Sequence, residues 1–265
     1  MSDIDIQQAG RHSVYVQRFA GSLANEFNPY MDQLIREIRF AINEMDDQQD
    51  LRAINTLIED YKKLASVIYK DYNDTVMLPE LREFAGYESD FAIRSMESAS
   101  DEEIPLVSLP LQLLWTTVMS IPLIFATSLK VKTLRPFIRD WEQGQINKVG
   151  DIIRTGLITG LSQKEIIKQL TGKNGYMPNQ GMKSIKSMIR TATNHVSNQS
   201  RLTTFRENQE ALNGYQLVAV LDNRTSNICK GYDGLIVRPK DKQQPYPPFH
   251  PNCRTTTAPV RKRKF

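Results

Sequence analysis

Apolar residues recur at threes and fours through the first part of the chain. Val16, Phe19, Leu23 and Phe27 lead into Met31, Leu34, Ile35, Ile38 and Ile42, a stripe that predicts helix over residues 14–45. Asn28-Pro29 interrupts it, and because proline lacks an amide hydrogen it marks either a new helix or a kink. Residues 45–50, MDDQQD, end the pattern. Leu51, Ile54, Leu57, Ile58, Tyr61, Leu64, Ile68 and Tyr72 then predict a second amphipathic helix, antiparallel to the first. From Asp74 to Glu103 the periodicity weakens into an acidic connector with room for one short helix.

The next segment, Ile104 to Leu129, holds no charged residue across 26 positions, long enough to span a bilayer. Pro105, Pro110 and Pro122 break it, and the longest uninterrupted piece, Leu111 to Ile121, is too short to cross. A buried segment or an apolar surface for a protein partner is the better reading, with no membrane contact. Leu134 to Leu157 is again helical, Ser162 to Glu165 has the form of a capping box, and a short helix over Ile166 to Leu170 stops at Gly172. Lys173 to Gly181 reads as loop. Met182 to Asn208 reads as a long polar helix with Ile185, Met188, Ile189 and Val196 on its apolar stripe.

After Gly214 the period changes to that of a strand. Residues 215–221, YQLVAVL, are β-branched and apolar, Asp233-Gly234 is a turn signal, and Leu235 to Val237 is the returning strand of a hairpin. Prolines 239, 245, 247, 248 and 251 predict no further regular structure before the tail. The fold class is therefore mainly α, α+β overall, with a helical N-terminal region and a small C-terminal α+β module.

Composition changes this picture little: 40% hydrophobic and 24% charged residues are ordinary for a folded globular chain. Charge changes it more. Residues 1–130 carry 11 Lys or Arg against 21 Asp or Glu, and residues 131–265 carry 23 against 9, so a net +4 conceals an acidic half and a basic half. The basic half ends in Arg261, Lys262, Arg263 and Lys264, which are candidates for non-specific contact with nucleic-acid phosphates or simply a solubilising tail. The first residues, MSDIDIQQAGRHS, lack the apolar core of a secretory signal.

Two cysteines exclude a disulfide-dense scaffold, yet both fall in one segment, LDNRTSNICKGYDGLIVRPKDKQQPYPPFHPNCR, with one of only three histidines. Three chemistries fit these residue types. Cys229, His250 and Cys253, with Asp222 or Asp233 as a fourth ligand, have the donor types of a structural zinc site, although the spacing is irregular. Cys229, His250 and Asp222 have the types of a nucleophile, base and orienter, without a visible oxyanion element. The third is a packed structural motif that needs no missing ligand and no cofactor, and it is the preferred reading. In it Asp222 and Thr225 cap turns, Arg224 or Arg254 pairs with Asp222, His250 hydrogen-bonds within its loop, and the cysteines pack or form a disulfide.

The order of motifs here resembles the C-terminal domain of the phage Mu F-like minor head proteins, the head morphogenesis family of tailed phages. Asp222, Arg224, Thr225 and Cys229 fit D-x-R-T-x-x-x-C, Asp233 and Gly234 fit the turn that follows, and His250, Asn252, Cys253 and Arg254 fit P-P-x-H-P-N-C-R. Residues 189–191, Asn198 and Arg201 resemble the helix preceding the signature, and residues 155–166 resemble the family's G-x-S-x-x-E-I helix start. Two positions depart: Thr255 stands where many relatives have a further cysteine, and Ala192 where the helix motif is often acidic.

The resemblance implies a non-enzymatic minor structural protein that binds the portal and the major capsid or scaffolding protein during procapsid assembly. Such proteins reside in the virion head, after assembly in the host cytoplasm, and can touch packaged DNA. A DNA-associated internal protein ejected with the genome is the alternative reading, and a Cys/His-dependent hydrolase or toxin-like activity is a second. The chain thus divides linearly into an acidic helical region (1–103), an apolar connector or partner surface (104–130), a Mu F-like domain (131–260) and a basic tail (261–265).

Overall fold

The computed structural model describes residues 3–45, 51–97, 105–126, 131–238, 241 and 244–261. Those residues fall into two compact units, one drawn from Met1–Gly21, Glu80–Arg135 and Met188–Phe265, the other from Ser22–Pro79 and Pro136–Ser187. Each gathers stretches far apart in sequence. This is a spatial grouping, distinct from the linear extent of a family domain.

The second unit is helical. Only the last turn of α1 (Asp3–Asn25), from Ser22, belongs to it; α2 (Asn28–Asn43) follows at the Pro29 break, and then α3 (Leu51–Tyr72). Met31, Leu34, Ile38 and Ile42 of α2 and Ile54, Ile58, Tyr61, Ala65 and Ile68 of α3 are buried, the two stripes expected from their spacing. Phe27 packs edge-on against Tyr72, whose hydroxyl donates to the Leu23 carbonyl at 2.8 Å. A π-helical turn, Asn73–Met77, leads from α3 into α4 (Leu78–Glu97). Later in the chain, α6 (Leu134–Ile158) is followed by α7 (Gln163–Thr171). Ser162 caps α7 by accepting from the Glu165 amide while the Glu165 carboxylate accepts from the Ser162 amide, the capping box expected there.

The first unit departs from expectation in three places. Residues 78–97 are a 20-residue helix, α4, rather than a connector. Its inward face alternates apolar Leu81, Phe84, Ala85, Ala92 and Met96 with buried polar Glu88, Ser89 and Ser95, which hides the periodicity. The apolar segment contains α5 (Leu111–Ser120), which buries Leu114 and Val118 and leaves Leu113 exposed. The third departure is in the sheet. Strand β1 (Leu212–Val218) is central in the order β2-β1-β3, with β2 (Ile236–Val237) and β3 (Thr256–Arg261) both antiparallel to it.

The β1–β2 pairing matches the expected hairpin, but a short helix, α9 (Asn227–Tyr232), lies in the connection. Strand β3 overturns the expectation of no regular structure beyond the prolines. Pro259 is tolerated because β3 is an edge strand, where a missing amide breaks no second ladder. Arg261 is therefore the last residue of β3, opposite Leu212, and not part of a tail, while the candidate contacts Lys262, Arg263 and Lys264 lie outside the described residues.

Helix α8 (Met182–Glu207) is the largest correction to polarity. Over residues 191–204 its polar side chains are buried: Thr191, Thr193, Asn194, His195, Ser197, Asn198, Gln199, Ser200, Arg201, Thr203 and Thr204. Burial pushes the His195 imidazole down to about 4 from 6.5. A histidine kept neutral in the fold but free to protonate when unfolded destabilises the native state as pH falls through that window. The expected slope is up to about 1.4 kcal/mol per pH unit between pH 6.5 and 4, and His195→Asn should remove it in urea titrations run across that range. Equal slopes in the two proteins would show that the ring is solvated.

Candidate functional site

The signature residues are assembled by α9, the 244–254 loop and the polar face of α8. After β1 the chain turns at Asp222, whose Oδ1 accepts from the Arg224 amide at 2.8 Å, and Thr225 Oγ1 donates to the Val220 carbonyl. Ser226 then caps α9, its hydroxyl accepting from the Cys229 amide at 3.2 Å. Helix α9 ends at the Asp233-Gly234 turn. Gly234 has φ +79°, and Asp233 Oδ1 accepts from the Ala219 amide at 2.8 Å, fastening the turn to the end of β1.

From the other side, Phe249 stacks on Tyr232 with ring centres 4.5 Å apart and seats the loop. The Cys253 amide donates to the His250 carbonyl at 3.2 Å, closing a tight turn. Within that turn Asn252 takes φ +58°, a left-handed conformation that asparagine tolerates better than most residues.

The polar residues of α8 hold this loop by its backbone. Thr191 Oγ1 accepts from the Asn252 amide at 3.0 Å. Asn194 and Asn198 donate to the Thr255 carbonyl at 3.2 and 3.3 Å, and Arg201 Nη1 donates to the Thr257 carbonyl at 3.1 Å. These side chains lie along one helical face, so burying them satisfies carbonyls and amides that would otherwise be unpaired. Arg201 is neutralised by Glu88 of α4, its Nε 3.0 Å from Oε2. Glu88 also accepts from Ser197 Oγ at 2.7 Å and lies 2.6 Å from His12 Nε2. Burial raises the Glu88 carboxyl, but Arg201, His12 and Ser197 together hold it below its ordinary value.

Thr191, Asn198 and Arg201 were visible in the sequence as part of the resembling helix. Glu88, His12, Asn194, Ser197 and Ser226 were not, because nothing in a lone glutamate within an acidic stretch marks it as the buried counter-ion.

The Cys/His residues converge. Cys229 Sγ lies 3.1 Å from His250 Nε2 and 3.7 Å from Cys253 Sγ, and all three donor atoms fall within 4.8 Å of one another. Both cysteines are free thiols and both are buried. His250 Nδ1 lies 2.8 Å from the Pro251 carbonyl, which can only accept, so Nδ1 carries the hydrogen and Nε2 presents its lone pair to the sulfurs. A hydrogen bond from Cys253 brings the Cys229 thiol down to about 5, and the same contact together with burial pushes Cys253 up. The pair therefore gives up one proton readily and keeps the second.

The two aspartates do not join them. Asp222 makes a bidentate pair with Arg254, Oδ1 to Nη2 at 2.6 Å and Oδ2 to Nη1 at 2.7 Å, which with the Arg224 amide holds its carboxyl well below the usual carboxylate range. Asp233 is committed to the Ala219 amide. Neither is a fourth metal ligand, and Asp222 does not orient His250, so the residue types of a triad are not arranged as one. Sequence alone did not separate a carboxylate that pairs with arginine from one that faces a thiol.

A family model described as Phage Mu protein F like protein matches residues 147–258, a span that contains α8, β1, β2, the first half of β3 and the whole Cys/His cluster. No curated protein and no solved structure matches the chain significantly.

Proposed function

We propose, from the match of residues 147–258 to a family model described as Phage Mu protein F like protein, that this chain is a structural protein of phage head morphogenesis that works by contact with the portal and with the capsid or scaffolding protein. The family match over residues 147–258 carries the reading. The geometry supports a role in shape: the signature residues are spent on turns, a helix-to-loop clamp and a bidentate ion pair that engages Asp222 with Arg254. Its place is the virion head. No helix among the described residues is long and apolar enough to cross a membrane.

The surface that meets the partner is the proline-broken apolar segment and its immediate flank. Val107, Leu113, Ile124 and Val131 are all about half exposed, at 55%, 53%, 44% and 55%, where water offers such side chains nothing. Leu113→Glu should abolish co-purification with the portal or capsid protein while leaving the melting temperature within about a degree or two, since Leu113 already faces solvent. Undiminished co-purification would move the interface elsewhere. The basic charge of residues 131–265 favours a second contact, with packaged DNA. Binding that weakens steeply with salt, and is lost on removal of residues 262–264, which leaves β3 whole, is its test.

A further inference from the structure

We propose that Cys229, His250 and Cys253 bind one soft divalent cation, zinc foremost, and that the ion staples α9 to the 249–254 turn. The three donors come from two segments 20 residues apart, yet their atoms converge within 4.8 Å. A tetrahedral zinc ion with sulfur ligands at about 2.3 Å and nitrogen at about 2.0 Å requires S···S edges of about 3.8 Å and S···N edges of about 3.5 Å. The observed S···S separation is 3.7 Å, the Cys229–His250 S···N separation is 3.1 Å and all three atoms lie within 4.8 Å, so loading asks for side-chain adjustments of about an ångström, not a change of backbone.

The supporting shell is already in place. The Pro251 carbonyl fixes the His250 tautomer that leaves Nε2 free to ligate, the arrangement by which backbone carbonyls orient metal-bound histidines. Each ligand-bearing segment is also held without the ion. Cys229 sits on a helix capped by Ser226, and Cys253 is flanked by the Asn252–Thr191 bond on one side and the Arg254–Asp222 pair on the other. The donor set of two sulfurs and one imidazole selects zinc-like ions over magnesium or calcium, which take oxygen ligands. The carboxylates that would make the site hard are engaged elsewhere. The fourth position falls to water or to the Ser226 hydroxyl, which lies 2.9 Å from Nε2. Zinc takes both sulfurs as thiolates, so binding expels the proton that the cysteine pair retains and affinity falls as pH is lowered.

The test uses the full wild-type chain, purified under reducing conditions and titrated with cobalt(II), with elemental analysis alongside. The expected result is about one zinc per chain as isolated, and on cobalt loading the near-ultraviolet thiolate-to-metal band and visible bands of a tetrahedral site. Cys253→Ser and His250→Ala should lose the bound metal. Circular dichroism on those variants, and on the chelated wild type, separates lost binding from lost folding. A folded wild-type chain that takes up cobalt without a thiolate band overturns the proposal, as does one isolated with a Cys229–Cys253 disulfide that binds metal neither before nor after reduction. None of these readouts depends on a partner, so this inference and the head-assembly reading fail independently.

Discussion

Glu88→Ala is expected to destabilise the protein by about 3–5 kcal/mol. Glu88 and Arg201 are 0% and 1% exposed, so removing the carboxylate leaves a guanidinium buried with no counter-ion. The loss spreads along the clamp, because Arg201 also donates to the Thr257 carbonyl of β3, and Ser197 and His12 lose their shared acceptor. Denaturant midpoints at constant slope measure it. Glu88→Leu combined with Arg201→Met should recover only part of the difference, since the apolar pair leaves no buried charge but still strips the Thr257 carbonyl, Ser197 and His12 of their partners. A Glu88→Ala protein within about 1 kcal/mol of wild type would mean that the pair is hydrated in solution and that α4 and α8 are held by apolar packing alone.

Gly214→Ala is expected to be nearly as costly. Gly214 has φ +140°, beside the register shift where β1 pairs with β3, and a Cβ placed there would stand 2.1 Å from the Val237 carbonyl oxygen. That atom is backbone, so the strand itself would have to move. The backbone strain and the displaced β2 together should cost about 3 kcal/mol or more. Val237 shares the core with Cys229, Phe249 and Cys253. Displacing β2 should therefore make the Cys229 thiol react faster with an alkylating reagent under native conditions. Unchanged stability and unchanged thiol reactivity would contradict the observed sheet register.

What was legible in the sequence followed from local rules. The stripes of α2 and α3 are strictly periodic, and Ser162 with Glu165 is a capping box by residue type and spacing alone. The Cys/His convergence was legible because those residue types are rare elsewhere in the chain. What escaped was set by tertiary partners. Glu88 in α4 and the polar residues of α8 look solvated in sequence, because their partners are distant: Ser197 and His12 lie 109 and 76 positions from Glu88, and the backbone groups of Asn252, Thr255 and Thr257 lie 56 to 61 positions from the α8 side chains that bind them. Pro259 argues locally against a strand and is accommodated only because β3 is an edge. Asp222 looked like a ligand until Arg254, 32 positions later, proved to occupy both of its oxygens.

The most direct test of a head-assembly role is quantitative mass spectrometry of phage heads purified from cells expressing the wild-type chain or the Leu113→Glu variant. The account predicts the wild-type chain in the particles at a fixed ratio to portal protein, and the variant folded in the lysate but missing from the heads. Heads that contain neither protein, with the wild-type chain soluble and unassociated, would contradict it.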